Sequence, residues 1–392
     1  MALQPLDLPD GVTSRFIPVD DLNLHILEAG DASSPLLILL HGFPELAISW
    51  RKVIVPLSEA GFRVVAPDQR GYGRTTSLDG PTGPIRFEDD LAPFRMLNLA
   101  RDVVALAFAL GYRTVAAVIG HDFGSSVAAH AALIRPDIFT SVILMSTPYV
   151  GPPPLPFGSD REPSAEAKPR PTTVFPRMDA QLAALSPPRK HYMQYYSGPD
   201  ANTDMWHAPQ GLRAFLRAYF HIKSGDWHGN DPHPLPAADA ESLAALPWYY
   251  VMPLHATVAE VAQHDAPTDE EVQRNTWLTE AELGTFAEEY GRTGFQGGLN
   301  RYRCVTDPKW LQELMVFAGL KIEVPAMYLS GTKDWGVYQN PGALDKMQRE
   351  ACARMDKEDV VLVDGAGHWV QQEKPEVVVR QIKRFLSKVR GE

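Results

Sequence analysis

Five residues near the middle of the chain constrain its fold more than any others. The apolar run Val115-Ala116-Ala117-Val118-Ile119 leads directly into Gly120-His121-Asp122-Phe123-Gly124. Glycines on both sides of a polar residue permit a tight, strained turn from a strand into a helix, with the middle side chain lifted clear of the backbone. The rest of the sequence repeats this strand-then-helix unit. Apolar runs at 36–40, 64–66, 142–145, 326–331 and 360–365 each end in a polar or glycine-containing turn. Helical spacing of apolar residues covers 97–110 (stopping at Gly111), 125–134 (stopping before Pro136) and 375–389, the last with Val377, Val378, Ile382, Phe385 and Leu386 on one face. Continuous apolar strands alternating with amphipathic helices predict an α/β protein: a mostly parallel central sheet flanked by helices. Residues 14–29 alternate more strictly and turn at Asp20-Asp21, as an antiparallel hairpin at the sheet edge would.

The alternation stops after Met145. Residues 151–190 hold ten prolines, more than a regular element tolerates, so this stretch reads as an irregular tether. An aromatic-rich, helical stretch follows to about Trp310, and strand-and-loop pairs then return. The predicted organisation is a core in two parts, 1–148 and 311–392, around an inserted helical lid at 149–310. A formal net charge of −11 argues against nucleic acid or an anionic membrane as partner. Cys304 and Cys352 are the only cysteines, which fits a reducing compartment without a disulfide framework. No basic leader, lipidation signal or membrane-length apolar window is visible, so the expected location is cytoplasmic. Either a monomer or a homodimer is compatible with these features.

Asp122 stands where an acyl-transferring enzyme would carry serine. A carboxylate there suits displacement at saturated carbon, forming an ester that water must then cleave. Cleavage needs a base and a group to orient it. His368, in Gly365-Ala366-Gly367-His368-Trp369, follows the last predicted strand, and Asp334, in Ser330-Gly331-Thr332-Lys333-Asp334, follows the one before. The order nucleophile, acid, histidine is that of the α/β-hydrolase fold, and all three fall beyond the carboxyl ends of parallel strands, where such sheets bind ligands. Backbone N–H groups of Phe43 and Phe123 are the candidates to receive charge on the ester carbonyl oxygen, with a cis Pro44 helping to aim the first. His221, His228 and His233 share one polar stretch but match no zinc spacing. Neither metal nor cofactor is called for.

These stretches resemble the α/β-hydrolase-fold epoxide hydrolases of the soluble type, over nearly the whole chain. The matching motifs are His41-Gly42-Phe43-Pro44-Glu45 with Trp50-Arg51, Asp68-Gln69-Arg70-Gly71-Tyr72-Gly73, the turn at Asp122, Lys333-Asp334 and Gly367-His368-Trp369. Two further segments are similar to the family's lid-tyrosine motifs: Tyr192-Met193-Gln194-Tyr195-Tyr196, and Gly297-Gly298-Leu299-Asn300-Arg301-Tyr302-Arg303. The resemblance implies a small-molecule epoxide as substrate and Tyr192 and Tyr302 as the acids that protonate its oxygen. Tyr195 and Tyr196 lie within a turn of Tyr192 and leave the register at the first site open. It also implies a pocket lined by His41, Pro44, Trp50, Trp335 and Trp369. Two positions depart from the family pattern, where tryptophan usually follows the nucleophile and precedes the second tyrosine. Here they are Phe123 and Arg301. Arg301 is expected to face solvent or pair with a lid carboxylate, the other option being a polar or anionic substrate.

Haloalkane and haloacid dehalogenases also use an aspartate at this turn. They need side-chain N–H donors for halide, or an arginine after the nucleophile for a carboxylate, and Phe43 and Phe123 provide neither. A catalytically silent ligand-binding protein on the same fold is the reading from a different class; binding without turnover would identify it.

Overall fold

The computed structural model describes residues 3–79, 83–155 and 174–392. Along the first part of the chain run β1 (Thr13–Val19), β2 (Leu22–Ala29), β3 (Leu36–Leu40), α1 (Arg51–Ser58), β4 (Arg63–Pro67), β5 (Thr76–Ser77), α2 (Met96–Ala109), β6 (Ala117–His121), α3 (Phe123–Ile134) and β7 (Val142–Met145). The last part adds β10 (Ala326–Gly331), α14 (Ala343–Lys346), β11 (Val360–Val363), α15 (Val370–Glu373) and α16 (Pro375–Arg390). Their strands build one nine-stranded sheet in the order β1-β2-β4-β3-β6-β7-β10-β11, with β5 paired to β2. From β4 to β11 every pairing is parallel, and β2 joins its neighbours antiparallel. This is the α/β hydrolase architecture. The edge hairpin turns at Asp20-Asp21, as its alternation predicts.

Alternation along β3 shows why the strands are apolar throughout. Leu37 and Leu39 enter the core under α1 and α16, while Leu36, Ile38 and Leu40 enter the core under α2 and α3. A parallel strand with helices on both faces has no wet side. Helix α16 buries Val378, Ile382, Phe385 and Leu386 and keeps Val377 half-exposed, each full burial contributing roughly 1.5–3 kcal/mol. One strand is shifted from its predicted span of 115–119. Val115 forms only an isolated bridge to Phe139, and β6 runs two residues further, pairing His121 with Met145. The strand therefore ends immediately before Asp122.

Between β7 and β10 stand α4 (Val174–Ala183), β8 (Arg189–His191), α5 (Tyr192–Tyr196), α6 (Ala201–Trp206), α7 (Leu212–Lys223), α8 (Ala240–Leu243), β9 (Val251–Pro253), α9 (Val258–His264), α10 (Asp269–Arg274), α11 (Glu280–Thr293), α12 (Gln296–Thr306) and α13 (Pro308–Glu313). The expectation of an irregular tether over 151–190 needs correction. Part of that span, 156–173, lies outside the described residues, but 174–183 is helix α4, and β8 pairs antiparallel with β9. Of the described prolines in that span, Pro176 falls in the first turn of α4, where an N–H has no intrahelical partner, and Pro187 and Pro188 fill the connection to β8. Among the described residues no helix is long and apolar enough to cross a membrane.

Candidate active site

The parallel strands deliver the loops after β3, β6, β7, β10 and β11 to one edge of the sheet. Asp122 occupies the sharp bend between β6 and α3 with φ 53° and ψ −118°, a region that costs a non-glycine residue about 1–3 kcal/mol. Its neighbours make the bend possible. A Cβ on Gly120 would lie 2.0 Å from the Gly124 oxygen, and one on Gly124 would lie 2.2 Å from the Leu40 oxygen. The strand and helix approach closer than any side chain allows.

Asp122 Oδ1 accepts the Phe43 N–H at 3.0 Å, and Oδ2 faces His368 Nε2 at 3.5 Å. The Phe43–Pro44 peptide is cis. Phe123 opens α3, so its N–H is among those with no intrahelical acceptor. On the other side of the imidazole, His368 Nδ1 lies 3.1 Å from Asp334 Oδ1 and 2.7 Å from Ser146 Oγ. Ser146 donates its hydroxyl to Asp334 Oδ2, so its oxygen accepts from Nδ1–H. Ser330 Oγ and the Gly336 N–H also donate to Asp334. Burial alone would raise the Asp122 carboxyl, but the adjacent His368 outweighs it and holds the group at about 2. Burial would lower His368, yet Asp334 and Asp122 raise it to about 9. The resting pair is thus carboxylate and imidazolium.

Above Asp122 lies a cluster of aromatic rings. Tyr302 meets Phe123 edge-on at 4.4 Å, Phe43 at 5.4 Å and Tyr192 at 5.9 Å. The tyrosine register left open by the sequence is distinguished by partners. Tyr195 donates to Asp204 and accepts from the Val258 N–H, while Tyr196 donates to Tyr219 at 3.2 Å. Among the described residues the Tyr192 hydroxyl makes one hydrogen bond, a long one to Gln339 at 3.4 Å. Burial, with the Asp122 charge added, pushes the phenols of Tyr192 and Tyr302 well up, which keeps them protonated.

The residues expected to line the pocket sit in the frame around these groups. His41 accepts the Gln69 N–H at Nε2 and donates to the Gly42 oxygen from Nδ1, so neither nitrogen is free. Trp369 is fully buried, donates to the Phe220 oxygen and packs on His368. Trp50 is buried in the core beneath α1, and Trp335 packs against His233. Pro44 follows Phe43 within the turn.

Three features escaped the sequence. Ser146, with φ 70°, joins Asp334 to His368. A buried Glu45–His121 pair lies behind them. Glu45 receives His121 Nδ1, the Gly42 N–H and the amides of Gln371 and Gln372, and His121 Nε2 donates to the His368 carbonyl at 2.7 Å. Four donors converge on that carboxylate, which is therefore ionised. Lys223 is buried with its ammonium 4.7–5.8 Å from the rings of Tyr250, Tyr219, Tyr249 and Tyr192, and its charge faces Asp122 and Asp334.

Arg301 corrects an expectation. It does not face solvent, and among the described residues it pairs with no carboxylate: it is 8% exposed, Nε has no partner there, and the guanidinium lies over the Phe123 ring at 5.5 Å. Its helix explains this, since α12 is buried from Gln296 through Tyr302 and offers no wet face there.

Fold and site together define a hydrolase of the α/β type, and the sequence matches the alpha/beta hydrolase fold family over residues 35–375. The chain belongs to the epoxide hydrolases of that family. It is 32% identical over 370 residues to epoxide hydrolase B of Mycobacterium tuberculosis, covering 92% of this chain and 93% of that one. With epoxide hydrolase A of the same organism it shares 30% over 380 residues, 96% and 97% of the two chains. Among solved structures, an epoxide hydrolase from an endophytic Streptomyces superposes with a TM-score of 0.73 at 30% identity, covering 98% of both chains. Potato (Solanum tuberosum) epoxide hydrolase I gives 0.69 at 28%, covering 96% of this chain and 99% of the potato chain.

Proposed function

We propose that the protein converts an epoxide to a vicinal diol through an ester on Asp122. With Oδ1 held by the Phe43 amide, Oδ2 attacks one oxirane carbon. The C–O bond breaks, and the oxygen takes a proton from the Tyr192/Tyr302 pair. The phenolate regains its proton from the His368 imidazolium, which leaves a neutral base beside a neutral ester. His368, oriented by Asp334 and Ser146, then takes a proton from water as the water oxygen adds to the ester carbonyl. Charge on that oxygen falls to the Phe43 and Phe123 amides. Collapse releases the diol and restores carboxylate and imidazolium. Neither metal nor cofactor enters. Residues 149–310 act as the lid that brings the two phenols over the nucleophile.

One observation carries this reading: a carboxylate at a strained bend has an amide at one oxygen, an oriented imidazole at the other, and two buried phenols above it. A departing halide would instead need side-chain N–H donors beside Asp122, and the flanking residues are Phe43 and Phe123. The test is a single turnover in 18O-water with styrene oxide. The first diol should carry no solvent label, because its new oxygen comes from Asp122, and label should enter Asp122 instead. Solvent oxygen in the first-turnover diol rules the ester out.

A further inference from the structure

Among the described residues five arginines are buried, and four have a carboxylate: Arg51 pairs with Glu282, Arg63 with Glu28, Arg70 with Asp21 and Asp102, and Arg74 with Glu289. Arg301 is the exception. Among the described residues no carboxylate lies against it, and Nε makes no hydrogen bond. Cys304 and Tyr72, the groups whose negative charge would favour it, are both pushed up by burial and stay neutral. The other buried cation of the site, Lys223, differs in facing the charges of Asp122 and Asp334.

Burying a charge without a partner is unfavourable, and contact with the Phe123 face offsets only part of that. Arg301 Nε is therefore buried with no acceptor, and no carboxylate among the described residues faces the guanidinium, which is the condition of a group that receives its counter-charge from a ligand. Its position says which ligand. Phe123 lies under the guanidinium at 5.5 Å, follows Asp122 directly and touches Tyr302 at 4.4 Å. The cation is one phenyl ring away from Tyr302, and that ring belongs to the residue after Asp122. It stands in α12 where the family pattern has tryptophan, next to the tyrosine itself.

We propose that the substrate is an epoxide bearing a carboxylate, gripped by Arg301 while Asp122 reaches the oxirane. A planar guanidinium fork meets the two oxygens of a carboxylate in parallel, which a point charge cannot do. The oxirane half of this inference rests on the function proposed above; the carboxylate half does not.

The two halves are tested apart. Calorimetry compares binding of 3-phenylpropanoate with that of its uncharged amide, 3-phenylpropanamide. The carboxylate should bind about 10- to 100-fold tighter, and in Arg301→Met the ratio should fall to within about threefold. The ratio is taken on one sample, so loss of folded protein cancels. Arg301→Lys, which keeps charge without the fork, should hold an intermediate ratio. Equal affinities in the native protein, no heat from either ligand at millimolar concentration, or a preference unchanged in both variants overturns the assignment. Turnover is read separately, with 3-phenylglycidate against its methyl ester and with styrene oxide. A carboxylate preference in binding with no diol from any of these epoxides defeats the epoxide reading and leaves the carboxylate site standing. Diol from styrene oxide with no preference for 3-phenylglycidate over its ester does the reverse.

Discussion

At the scale of single residues, the proposed chemistry turns on how charge moves between Asp122 and His368. In the free protein two carboxylates hold His368 protonated, up to about 9. Ester formation in the proposed cycle would remove one of them, so the imidazole should lose its proton more easily in the intermediate. A base must be neutral to accept a proton, and the hydrolytic step should therefore rise with pH. Because kcat reports the bound state and its intermediates, its rising limb should lie at least one unit below the His368 pKa of the free protein. Titrating His368 by NMR and comparing it with the pH profile of kcat checks this, and coincident values contradict it. Asp122, His368 and Asp334 were legible because each ends an apolar strand in a glycine-rich turn, and backbone geometry leaves that mark on a sequence. Ser146 left no such mark: a serine after a strand is ordinary, and only its φ of 70° brings it between acid and base. The Glu45–His121 pair was hidden in the same way, since its partners lie 76 residues apart.

Among elements, the loop between β11 and α15 shows how one side chain can hold a base in place. Glu373, at the end of α15, accepts the N–H groups of Gly225, Gly367 and Trp369 at 2.8, 2.9 and 3.0 Å. Two of these flank His368, and the third belongs to the segment after α7, whose last residue, Lys223, accepts the His368 N–H. Glu373→Ala leaves three donors without an acceptor, at about 1–3 kcal/mol for each that stays buried. The expected result is a melting temperature lower by several degrees and, in rapid-quench mass spectrometry, ester that persists. In the proposed mechanism His368 serves hydrolysis, so ester cleavage should slow by about tenfold or more while ester formation changes less. Equal slowing of both steps counts against a positioning role. Elements with strict periodicity were legible: β3, β4, β7, β10, β11 and α16 fall close to their predicted spans. Helix α4 and the β8–β9 ribbon were not. Proline density masked the helix, and three-residue strands are too short to show a period.

For the molecule as a whole, what matters is how the inserted segment is fastened to the sheet. Gly297, in the first turn of α12, lies so close to Gly71 that a Cβ would come within 1.9 Å of the Gly71 oxygen. Beside this contact Arg74 donates to Glu289 of α11 at 2.7 Å. Arg292 bridges Glu289 and the Gly73 oxygen. None of this could be read from spacing, because Arg74 and Glu289 stand 215 residues apart and periodicity reports only local order. Burial decides what the pair contributes. Arg74 and Glu289 are both almost fully buried, so removing the carboxylate strands a cation in a low dielectric, at about 3–5 kcal/mol. Arg213 and Glu280, which pair at 2.8 Å within the insert, are half-exposed and should contribute at most about 1 kcal/mol. Glu289→Ala should therefore destabilise the protein far more than Arg213→Ala, and 0.5 M salt should erase the smaller effect but not the larger. The loss should also be local. Hydrogen exchange in α11 and α12 should speed up well before exchange in β3 and β6 does, because the pair joins insert to sheet and leaves the sheet's own ladder intact. Uniform acceleration across both regions would mean that insert and sheet open as one cooperative unit, and that the phenols of α5 and α12 cannot leave Asp122 without global unfolding.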